Sequence, residues 1–292
     1  MTPAASTIRV ATWNIRAAIG PGEPFPPAWW RHVRRDRFER IADVIAELEA
    51  DVVALQEVSV LTPHGEVFDQ PLELARLSDR HVRYAAVHAF ALVEPENGRA
   101  IGAATWGNAL LTRGPVDGGF AIGLPVGADD EPVEPAGSGR PLAGVTFRDA
   151  PYGTREARCA VGGRVSLAGS DVTIVNAHLT YAGTEQRRAQ ADELARIADG
   201  SAGPVVVAGD FNAAIEDPAL RSLAAGFDDA FGAVGVEVGD QRRASCGALP
   251  IDHLLSRGLR VVDCRVVTEA GDASDHLPVV ATFEVSTGEL DG

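Results

Sequence analysis

The sequence contains no lysine, and all 26 of its basic residues are arginine. A chain without lysine cannot form a Schiff base with a carbonyl substrate, and it lacks the phosphate-binding lysine of P-loop NTPases and protein kinases. Positive charge is also scarce, because 41 acidic residues give a formal net charge of −15. Dedicated nucleic-acid binders need clustered positive charge to neutralise phosphates, so this balance disfavours that class without excluding a local basic groove.

Cysteine and long hydrophobic runs are scarce as well. The three cysteines, Cys159, Cys246 and Cys264, are too few for a disulfide framework and lack the paired spacing of a zinc site. No apolar run approaches the roughly 20 residues of a membrane-spanning helix. The first residues have neither the basic nor the apolar region of a signal peptide. We therefore expect a soluble, cytoplasmic protein whose cysteines are small, half-buried apolar residues.

Apolar residues are abundant, and their spacing predicts alternating strands and helices. A strand over 8–15, a helix over 35–49 and a strand over 51–56 form one strand–helix–strand unit, in which the helix has an apolar residue every three or four positions. A second helix is predicted over 184–198, with a threonine as N-cap and its end at Gly200. Further strands are predicted at 84–93, 108–112, 159–167, 172–178, 205–210, 251–255, 259–267 and 279–285.

Residues 114–150 are rich in glycine, proline and acids and show no period. They are predicted to form an insertion or long surface loop. The strands on either side belong to the same core, so we expect one domain over residues 1–292.

Polar residues fall at the ends of the predicted strands. Each of them alone has an ordinary explanation as a turn residue, a helix cap or a buried histidine. Together, acids, amides and histidines at the mouths of several strands indicate a site at a sheet edge. The set comprises Asn14, Glu57, Asn176, His178, Asp210, Asn212, Asp252, Asp275 and His276.

These residues lie in the motifs TWNIR, LQEV, GNALLTR, NAHL, GDFN, IDHLL and SDHLPV, which follow in this order between residues 12 and 280. The set resembles the endonuclease/exonuclease/phosphatase superfamily, which includes deoxyribonucleases, abasic-site endonucleases, neutral sphingomyelinases and inositol-polyphosphate 5-phosphatases. The resemblance implies an α/β fold, a four-layer sandwich of two mixed β-sheets packed face to face with helices outside. It also implies hydrolysis of a phosphate ester by water, assisted by Mg²⁺ or Mn²⁺.

The resemblance makes Glu57 the principal metal ligand. A carboxylate suits this role because hard divalent cations prefer oxygen ligands. Asn14 is expected beside it, as a second ligand or as a neighbour of the first. Asp275 is expected close to the metal.

The resemblance also assigns the groups that move protons. His276 corresponds to the catalytic histidine and Asp252 to its carboxylate partner, which fixes the tautomer and makes His276 the expected general base. Asp210 is expected to orient the nucleophile or to bind metal. Asn212 is expected to donate its amide hydrogens to a phosphate oxygen.

His178 matches the deoxyribonuclease, sphingomyelinase and 5-phosphatase branches, and we expect it to act as a general acid on the leaving oxygen. The deoxyribonuclease pattern gives this histidine a carboxylate partner. Glu94 and Glu96 are candidates for that partner, because no motif determines the register.

Three positions are predicted to bind substrate. Asn108 and Asn176 occupy motif positions at the ends of strands, and Arg155 precedes a strand where relatives place an arginine that reaches a phosphate. Arg158 competes with Arg155 for that role.

Four functions remain open at this point. A phosphodiesterase acting on a small or lipid-like headgroup is the leading interpretation. A nuclease would need a basic groove, and a phosphomonoesterase of inositol polyphosphates would need further cations. A non-catalytic scaffold would be expected to lack an acid or a histidine of the set, and none is missing here. The densest basic cluster is interpreted as a solvated face and comprises Arg31, Arg34, Arg35, Arg37 and Arg40.

Overall fold

The computed structural model describes residues 6–22, 28–126, 157–167, 169–181 and 183–285. The strands in these ranges are β1 (Ser6–Asn14), β2 (Val52–Leu61), β3 (Phe68–Asp69), β4 (His81–Val93), β5 (Ala100–Thr112), β6 (Val116–Leu124), β7 (Arg158–Leu167), β8 (Ser170–His178), β9 (Val205–Asp210), β10 (Asp228–Asp229), β11 (Asp252–Arg257), β12 (Arg260–Val266) and β13 (Val279–Val285). The α-helices are α1 (Arg35–Glu47), α2 (Gln70–Leu77), α3 (Thr184–Asp199), α4 (Arg221–Gly226) and α5 (Ala230–Ala233).

The strands form two mixed sheets. The first has the order β12-β13-β1-β2-β5-β4, with β3 paired to β2, and the second has the order β10-β11-β9-β8-β7-β6. β1 runs parallel to β2, and β8 runs parallel to β9. Each parallel pair is connected through a helix, α1 or α3, because parallel neighbours need a crossover connection. The two strand–helix–strand halves expected from the sequence are therefore confirmed.

The sheets pack face to face through aliphatic side chains that alternate along each strand. Val10 and Val52 of the first sheet lie in one buried cluster with Ile174 and Val206 of the second. Full burial of such a side chain stabilises the fold by about 1.5–3 kcal/mol. This layer holds the two sheets together and fixes how their strand ends face each other.

The helices cover the outer faces. Trp13 and Leu55 point away from the second sheet and contact the apolar stripe of α1. On the other side, α3 covers Val205 and Val207 with Leu194. The result is the predicted four-layer α/β sandwich. Within the described ranges, no helix has the length and apolar character needed to cross a membrane.

The structure differs from the local predictions at several places. Residues 116–124 of the predicted loop 114–150 form β6, an edge strand whose three glycines and partly exposed positions hide the period of a strand. Residues 127–156 lie outside the described ranges. Helix α3 starts at Thr184 with Gly183 as N-cap, one residue earlier than expected. Helix α2 was missed, although Asp69 caps it by accepting from the Leu72 amide.

The topology brings several strand ends to one edge of the sandwich. Asn14 aligns with Gln56 where β1 and β2 run in parallel, and His178 aligns with Asp210 at the ends of β8 and β9. Asp252 lies opposite Asp210, because β11 runs antiparallel to β9 and starts at this edge. Strand β13 is antiparallel to β1, so residues 275–276 also reach it.

Candidate active site

Glu57 reaches the site through a β-bulge. The predicted end of β2 at residue 56 is wrong. The strand continues beyond it, and its register against β5 is irregular between Leu55 and Val58. Within this bulge Glu57 has a φ of 56°, a left-handed conformation that is uncommon for a residue with a side chain. Bulges re-aim side chains next to functional sites. Here the bulge brings the carboxylate to the strand ends, where 18% of the side chain is exposed.

Glu57 and Asp275 form a negatively charged pole. The pKa of Glu57 is raised to about 7, chiefly by burial and next by the charge of Asp275, while a hydrogen bond from Asn14 opposes the shift. Arg16 Nε lies 3.4 Å from Asp275 Oδ2. A buried carboxylate beside a second negative charge would be stabilised by a cation bound between them. The donor set fits the predicted divalent cation, with Glu57 and Asp275 as its oxygen ligands.

Asn14 links this pole to the next carboxylate. Its Nδ2 donates to Asp210 Oδ2 at 3.0 Å, and its side chain also hydrogen-bonds to Glu57. Its Oδ1 accepts the backbone N–H of Arg16 at 3.0 Å. Of the two predicted roles, the geometry supports Asn14 as the neighbour that holds the ligands in place.

Asp210 lies at the centre of the site and is 1% exposed. Its Oδ1 accepts the Asn212 backbone N–H at 2.9 Å, and its Oδ2 lies 3.3 Å from His178 Nε2 and 3.8 Å from His276 Nε2. The pKa of Asp210 is raised to about 6, chiefly by burial and next by the charge of Asp252. The carboxylate is therefore basic enough to accept a proton and is still ionised at neutral pH.

His276 and Asp252 form the predicted pair. His276 Nδ1 lies 2.8 Å from Asp252 Oδ2, and the Trp13 indole N–H donates to the His276 carbonyl at 2.9 Å. Burial lowers the pKa of His276, but the charges of Asp252 and Asp210 outweigh it and hold the pKa well above its ordinary value. The imidazole therefore holds its proton in the free chain.

His178 is buried and neutral. Burial, followed by the charges of Arg158, His276 and His88, lowers its pKa well below the ordinary value. Its Nε2 lies 3.0 Å from Asn212 Nδ2 and 3.3 Å from Asp210 Oδ2, and its Nδ1 lies 4.0 Å from Glu57 Oε1. A neutral imidazole is a hydrogen-bond donor and a poor general acid, so the structure argues against the predicted general-acid role.

The carboxylates nearest His178 are Asp210 and Glu57. Glu94 and Glu96, the two candidates from the sequence, are engaged on the surface with Arg99 and Arg31, respectively. Both candidates are therefore wrong.

The side chain of Asn212 hydrogen-bonds to neighbouring groups of the protein. Its φ is 51°, and its Nδ2 donates to the Leu179 carbonyl at 2.9 Å as well as to His178. Nδ2 is already engaged with Leu179 and His178, so the predicted contact to a phosphate oxygen would replace one of these contacts. Asn212 holds the His178 ring in place through this contact.

Asn176 was predicted to bind substrate. In the structure its side chain crosslinks the two sheets. It is fully buried, and its Nδ2 donates to the carbonyls of Leu55 and Ala109 while its Oδ1 accepts from Gln56. Asn108 plays a similar part, since it is buried and donates to the Cys159 carbonyl at 2.8 Å.

Asn176→Ala should therefore lower stability more than activity per folded molecule. Three buried polar groups would lose a partner, at about 1–3 kcal/mol for each unsatisfied group. Denaturant unfolding measures the loss, and Asn97→Ala in an exposed turn is the control. A loss below about 1 kcal/mol would contradict the crosslinking role.

The structure describes Arg158 but not Arg155, which lies outside the described ranges. Arg158 starts β7 and is 6% exposed, and its charge lowers the pKa of His178 and favours ionisation of Glu57. This supports Arg158 as the candidate for the arginine that reaches a substrate phosphate.

His88 was missed by the sequence reading. His88 lies in β4, where the register against β5 is irregular between Ala86 and His88. Burial, together with the charge of Arg158, lowers the pKa of His88 to about 3. The sequence offers a histidine within an apolar run and no motif around it. His88, Arg158 and His178 together are named the basic pole below; its charge is that of Arg158, because both imidazoles are neutral at neutral pH.

The comparisons with known proteins agree with this geometry. A model of the Endonuclease/Exonuclease/phosphatase family matches residues 11–276. A UPF0294 protein of Vibrio cholerae serotype O1 is 32% identical over 136 residues, which are 44% of this chain and 46% of that protein. The match therefore spans about half the length of this curated relative.

Solved structures share the fold over most of the chain. An endonuclease/exonuclease/phosphatase from Beutenbergia cavernae has a TM-score of 0.63 and 26% identity, over 96% of this chain and 72% of that chain. The human Nocturnin catalytic domain with bound sulfate has a TM-score of 0.62 and 20% identity, with coverages of 96% and 93%. A mannosyl-6-phosphatase from Bacteroides thetaiotaomicron has a TM-score of 0.60 and 17% identity, with coverages of 94% and 98%. At these low identities the last two show the fold alone.

Proposed function

The chain belongs to the endonuclease/exonuclease/phosphatase family, and we propose that it is a divalent-metal-dependent phosphodiesterase acting on a small or lipid-like phosphodiester. The observation that carries the proposal is the pair of opposite poles around Asp210. The carboxylates of Glu57 and Asp275 suit a cation, and the basic pole suits the phosphoryl oxygens. β1 from the first residues and β13 from the last residues of the described ranges pair in one sheet, so we propose that one domain carries the activity.

A Mg²⁺ or Mn²⁺ ion bound by Glu57 and Asp275 would polarise a phosphoryl oxygen. The basic pole would receive the remaining oxygens. Arg158 supplies a guanidinium that can contact two of them, and neutral His178 supplies the hydrogen of its imidazole. This division keeps the negative pole from repelling the substrate.

We assign the general base to Asp210. In an in-line displacement the attacking and leaving oxygens lie on opposite sides of phosphorus. Asp210 Oδ2 and His276 Nε2 are 3.8 Å apart, too close to serve both ends of such a reaction. Asp210 takes the proton of the attacking water, and protonated His276 stabilises charge that develops on a phosphoryl oxygen. This replaces the general-base role predicted for His276.

The distribution of charge supports a small substrate over a nucleic acid. In the basic cluster of the sequence, Arg31, Arg34, Arg35 and Arg40 pair with Glu96, Asp36, Glu73 and Glu47, respectively. Arg37 donates to the Ile19 carbonyl. Neutralised arginines contribute little to phosphate binding along a strand. An inositol polyphosphate would likewise need more cations than the basic pole offers.

A panel of substrates tests the proposal. Purified protein is assayed with Mg²⁺ or Mn²⁺ on a chromogenic phosphodiester, a chromogenic phosphomonoester, phospholipid vesicles and plasmid DNA, with EDTA and Glu57→Gln as controls. We expect cleavage of the small diester or the lipid, abolished by EDTA. Nicking of DNA at comparable enzyme concentration would establish a nuclease, and no hydrolysis of any substrate would favour a binding scaffold.

The rate should rise with pH as Glu57 and Asp210 lose their protons, and this acid limb of the pH–rate profile is determined by their pKa values of about 7 and about 6. Both groups work as carboxylates, so activity is lost as pH falls through these values. The cation competes with the proton on Glu57, so a higher Mg²⁺ concentration should move the limb to lower pH. Rate profiles at two Mg²⁺ concentrations measure this, and a limb that does not move would contradict the assignment of Glu57.

Arg158→Lys should lower kcat/KM for the diester by about 10–100-fold, because an ammonium cannot reproduce bidentate contact. Arg155→Lys is the matched comparison, since the sequence pattern allowed either arginine. A larger loss in Arg155→Lys, with equal melting temperatures for both variants, would reverse the assignment.

A further inference from the structure

Two side chains of helix α3 hold the backbone of Thr180, which lies just beyond the end of β8. The Thr180 N–H donates to Gln190 Oε1 at 2.8 Å, and the Thr180 carbonyl accepts from Arg187 Nε at 2.9 Å. Thr180 and Gln190 are fully buried, and Arg187 is 9% exposed. Because β8 ends at His178, the buried backbone that follows needs partners from outside the sheet. Arg187 and Gln190 are three positions apart and therefore lie on one face of the helix.

The same two side chains extend these contacts to neighbouring segments. Arg187 Nη2 donates to the Tyr181 carbonyl at 2.8 Å, and its Nη1 lies 3.6 Å from Asp217 Oδ2 in the loop after β9. Gln190 Nε2 donates to the Pro125 carbonyl at 3.0 Å, directly after β6. The rigid fork of a guanidinium can serve several acceptors at once, which an ammonium cannot do with the same geometry. Helix α3 thus ties three segments together.

Residues 179–181, named the held loop below, are bonded directly to the candidate active site. The Leu179 N–H donates to the Asp210 carbonyl at 2.9 Å, and the Leu179 carbonyl accepts from Asn212 Nδ2 at 2.9 Å. Asn212 in turn donates its backbone N–H to Asp210 Oδ1, and its Nδ2 lies 3.0 Å from His178 Nε2. A continuous series of hydrogen bonds therefore runs from α3 through the held loop to the reacting groups.

The contacts of Arg187 separate it from the arginine that is expected to reach a phosphate. Its Nε, Nη1 and Nη2 all face acceptors of the protein, namely two backbone carbonyls and the Asp217 carboxylate. A guanidinium engaged in this way orients its neighbours. Catalytic groups have to be held within a fraction of an ångström of the productive geometry, so such contacts affect the rate even when they lie away from the substrate.

We infer that Arg187 and Gln190 are positioning residues, which hold His178, Asp210 and Asn212 in their reactive arrangement through the held loop. The effect on the rate rests on the proposed function. The ordering of the held loop by α3 does not, and it can be measured without any substrate.

Hydrogen–deuterium exchange tests the ordering of the held loop. It is measured on the unmodified protein, Arg187→Lys, Gln190→Met and the matched control Arg188→Lys, whose arginine is exposed and pairs with Glu185 within α3. We expect the Leu179 and Thr180 amides to exchange at least about 10-fold faster in the first two variants and at an unchanged rate in the control. The amides of β13 report any general loss of stability. Unchanged exchange of the held loop in both variants would overturn the inference.

Steady-state kinetics on the chromogenic diester test the effect on the reaction. Arg187→Lys and Gln190→Met should each lower kcat by about 10–100-fold with little change in KM, because the reacting groups lose their alignment while the substrate contacts remain. The Mg²⁺ shift in melting temperature should persist in both variants, since neither changes Glu57 or Asp275. A kcat within about 3-fold of the unmodified value in both folded variants would overturn the positioning role.

A double-mutant cycle distinguishes action through the held loop from a general structural role. Asn212→Ala removes the side chain that joins Leu179 to His178. In that background Arg187→Lys should lower kcat by no more than about 3-fold, because the link on which it acts is already lost. Losses that multiply in full would overturn the inference.

The two kinds of measurement also separate this inference from the proposed function. A protein that hydrolyses no phosphodiester, but whose held loop exchanges faster in Arg187→Lys, would refute the proposed function alone. An active protein in which neither variant loses kcat would refute the positioning role alone.

Discussion

Glu57→Gln is expected to abolish metal-dependent hydrolysis, with a rate loss of about 10³-fold, and to make the metal-free chain more stable at the same time. The amide keeps the shape of the side chain but removes the charge that a divalent cation needs. Hydrolysis of the small diester at saturating Mg²⁺ measures the first effect. Thermal unfolding in EDTA measures the second.

The sign of the stability effect follows from the pKa of Glu57, about 7 in the folded chain against an ordinary value of 4.5. The folded chain binds this proton more tightly than the unfolded chain. The contribution to stability is therefore fully present below pH 4.5 and is lost as pH rises through 7. At about pH 8 the ionised group costs the metal-free fold about 3 kcal/mol, which glutamine removes.

Mg²⁺ should also raise the melting temperature of the unmodified protein and leave that of Glu57→Gln unchanged, because a ligand of the folded state stabilises it by mass action. Glu66→Gln, an exposed glutamate on the loop after β2, is the matched control and should behave as the unmodified protein. A Mg²⁺ shift of full size in Glu57→Gln would remove Glu57 from the metal site.

Asp210→Asn is expected to lower kcat by about 10²–10³-fold with little change in KM. The amide cannot accept the proton of water, and it also presents a donor or a weaker acceptor to Asn14 Nδ2, which now donates to the carboxylate at 3.0 Å. Steady-state kinetics on the small diester give kcat and KM separately. The acid limb due to Asp210 should also disappear from the pH profile.

Asp210→Asn should keep the Mg²⁺ shift in melting temperature, and this separates its role from that of Glu57. Asp263→Asn, an exposed aspartate of β12, controls for loss of one surface charge. If Asp210→Asn loses the Mg²⁺ shift together with activity, Asp210 is a metal ligand and the general base must be sought elsewhere. A rate within about 10-fold of the unmodified protein would contradict both roles.

Much of the fold was predictable because its signals are local. The period of apolar residues in α1 and the continuous apolar runs of β2 and β9 identify two strand–helix–strand units without any knowledge of contacts. β6 was missed for an equally physical reason. An edge strand with three glycines buries too little to show alternation, and its pairing with β7 is decided by the rest of the sheet.

The site was predicted as a set of residues and less well as a set of roles. Asp210, His276 and Asp252 meet as the motifs suggest, since Asp210 ends β9, Asp252 begins β11 and His276 precedes β13 at the same edge. Roles depend on hydrogen bonds with distant neighbours. Asn212 was expected to face a phosphate but donates to Leu179, thirty-three residues away in sequence, and no local pattern reveals that.

The sequence by itself determined the family, the layered α/β architecture and the edge of the sandwich that carries the chemistry, because strand periodicity and short motifs are local properties of the chain. The tertiary structure alone decided the charge of each group. The charge state of a histidine or carboxylate depends on burial and on partners that packing supplies from other strands. For that reason His178 is neutral beside Arg158, His276 is protonated beside Asp252, and the half-buried Cys246 lies beside His276.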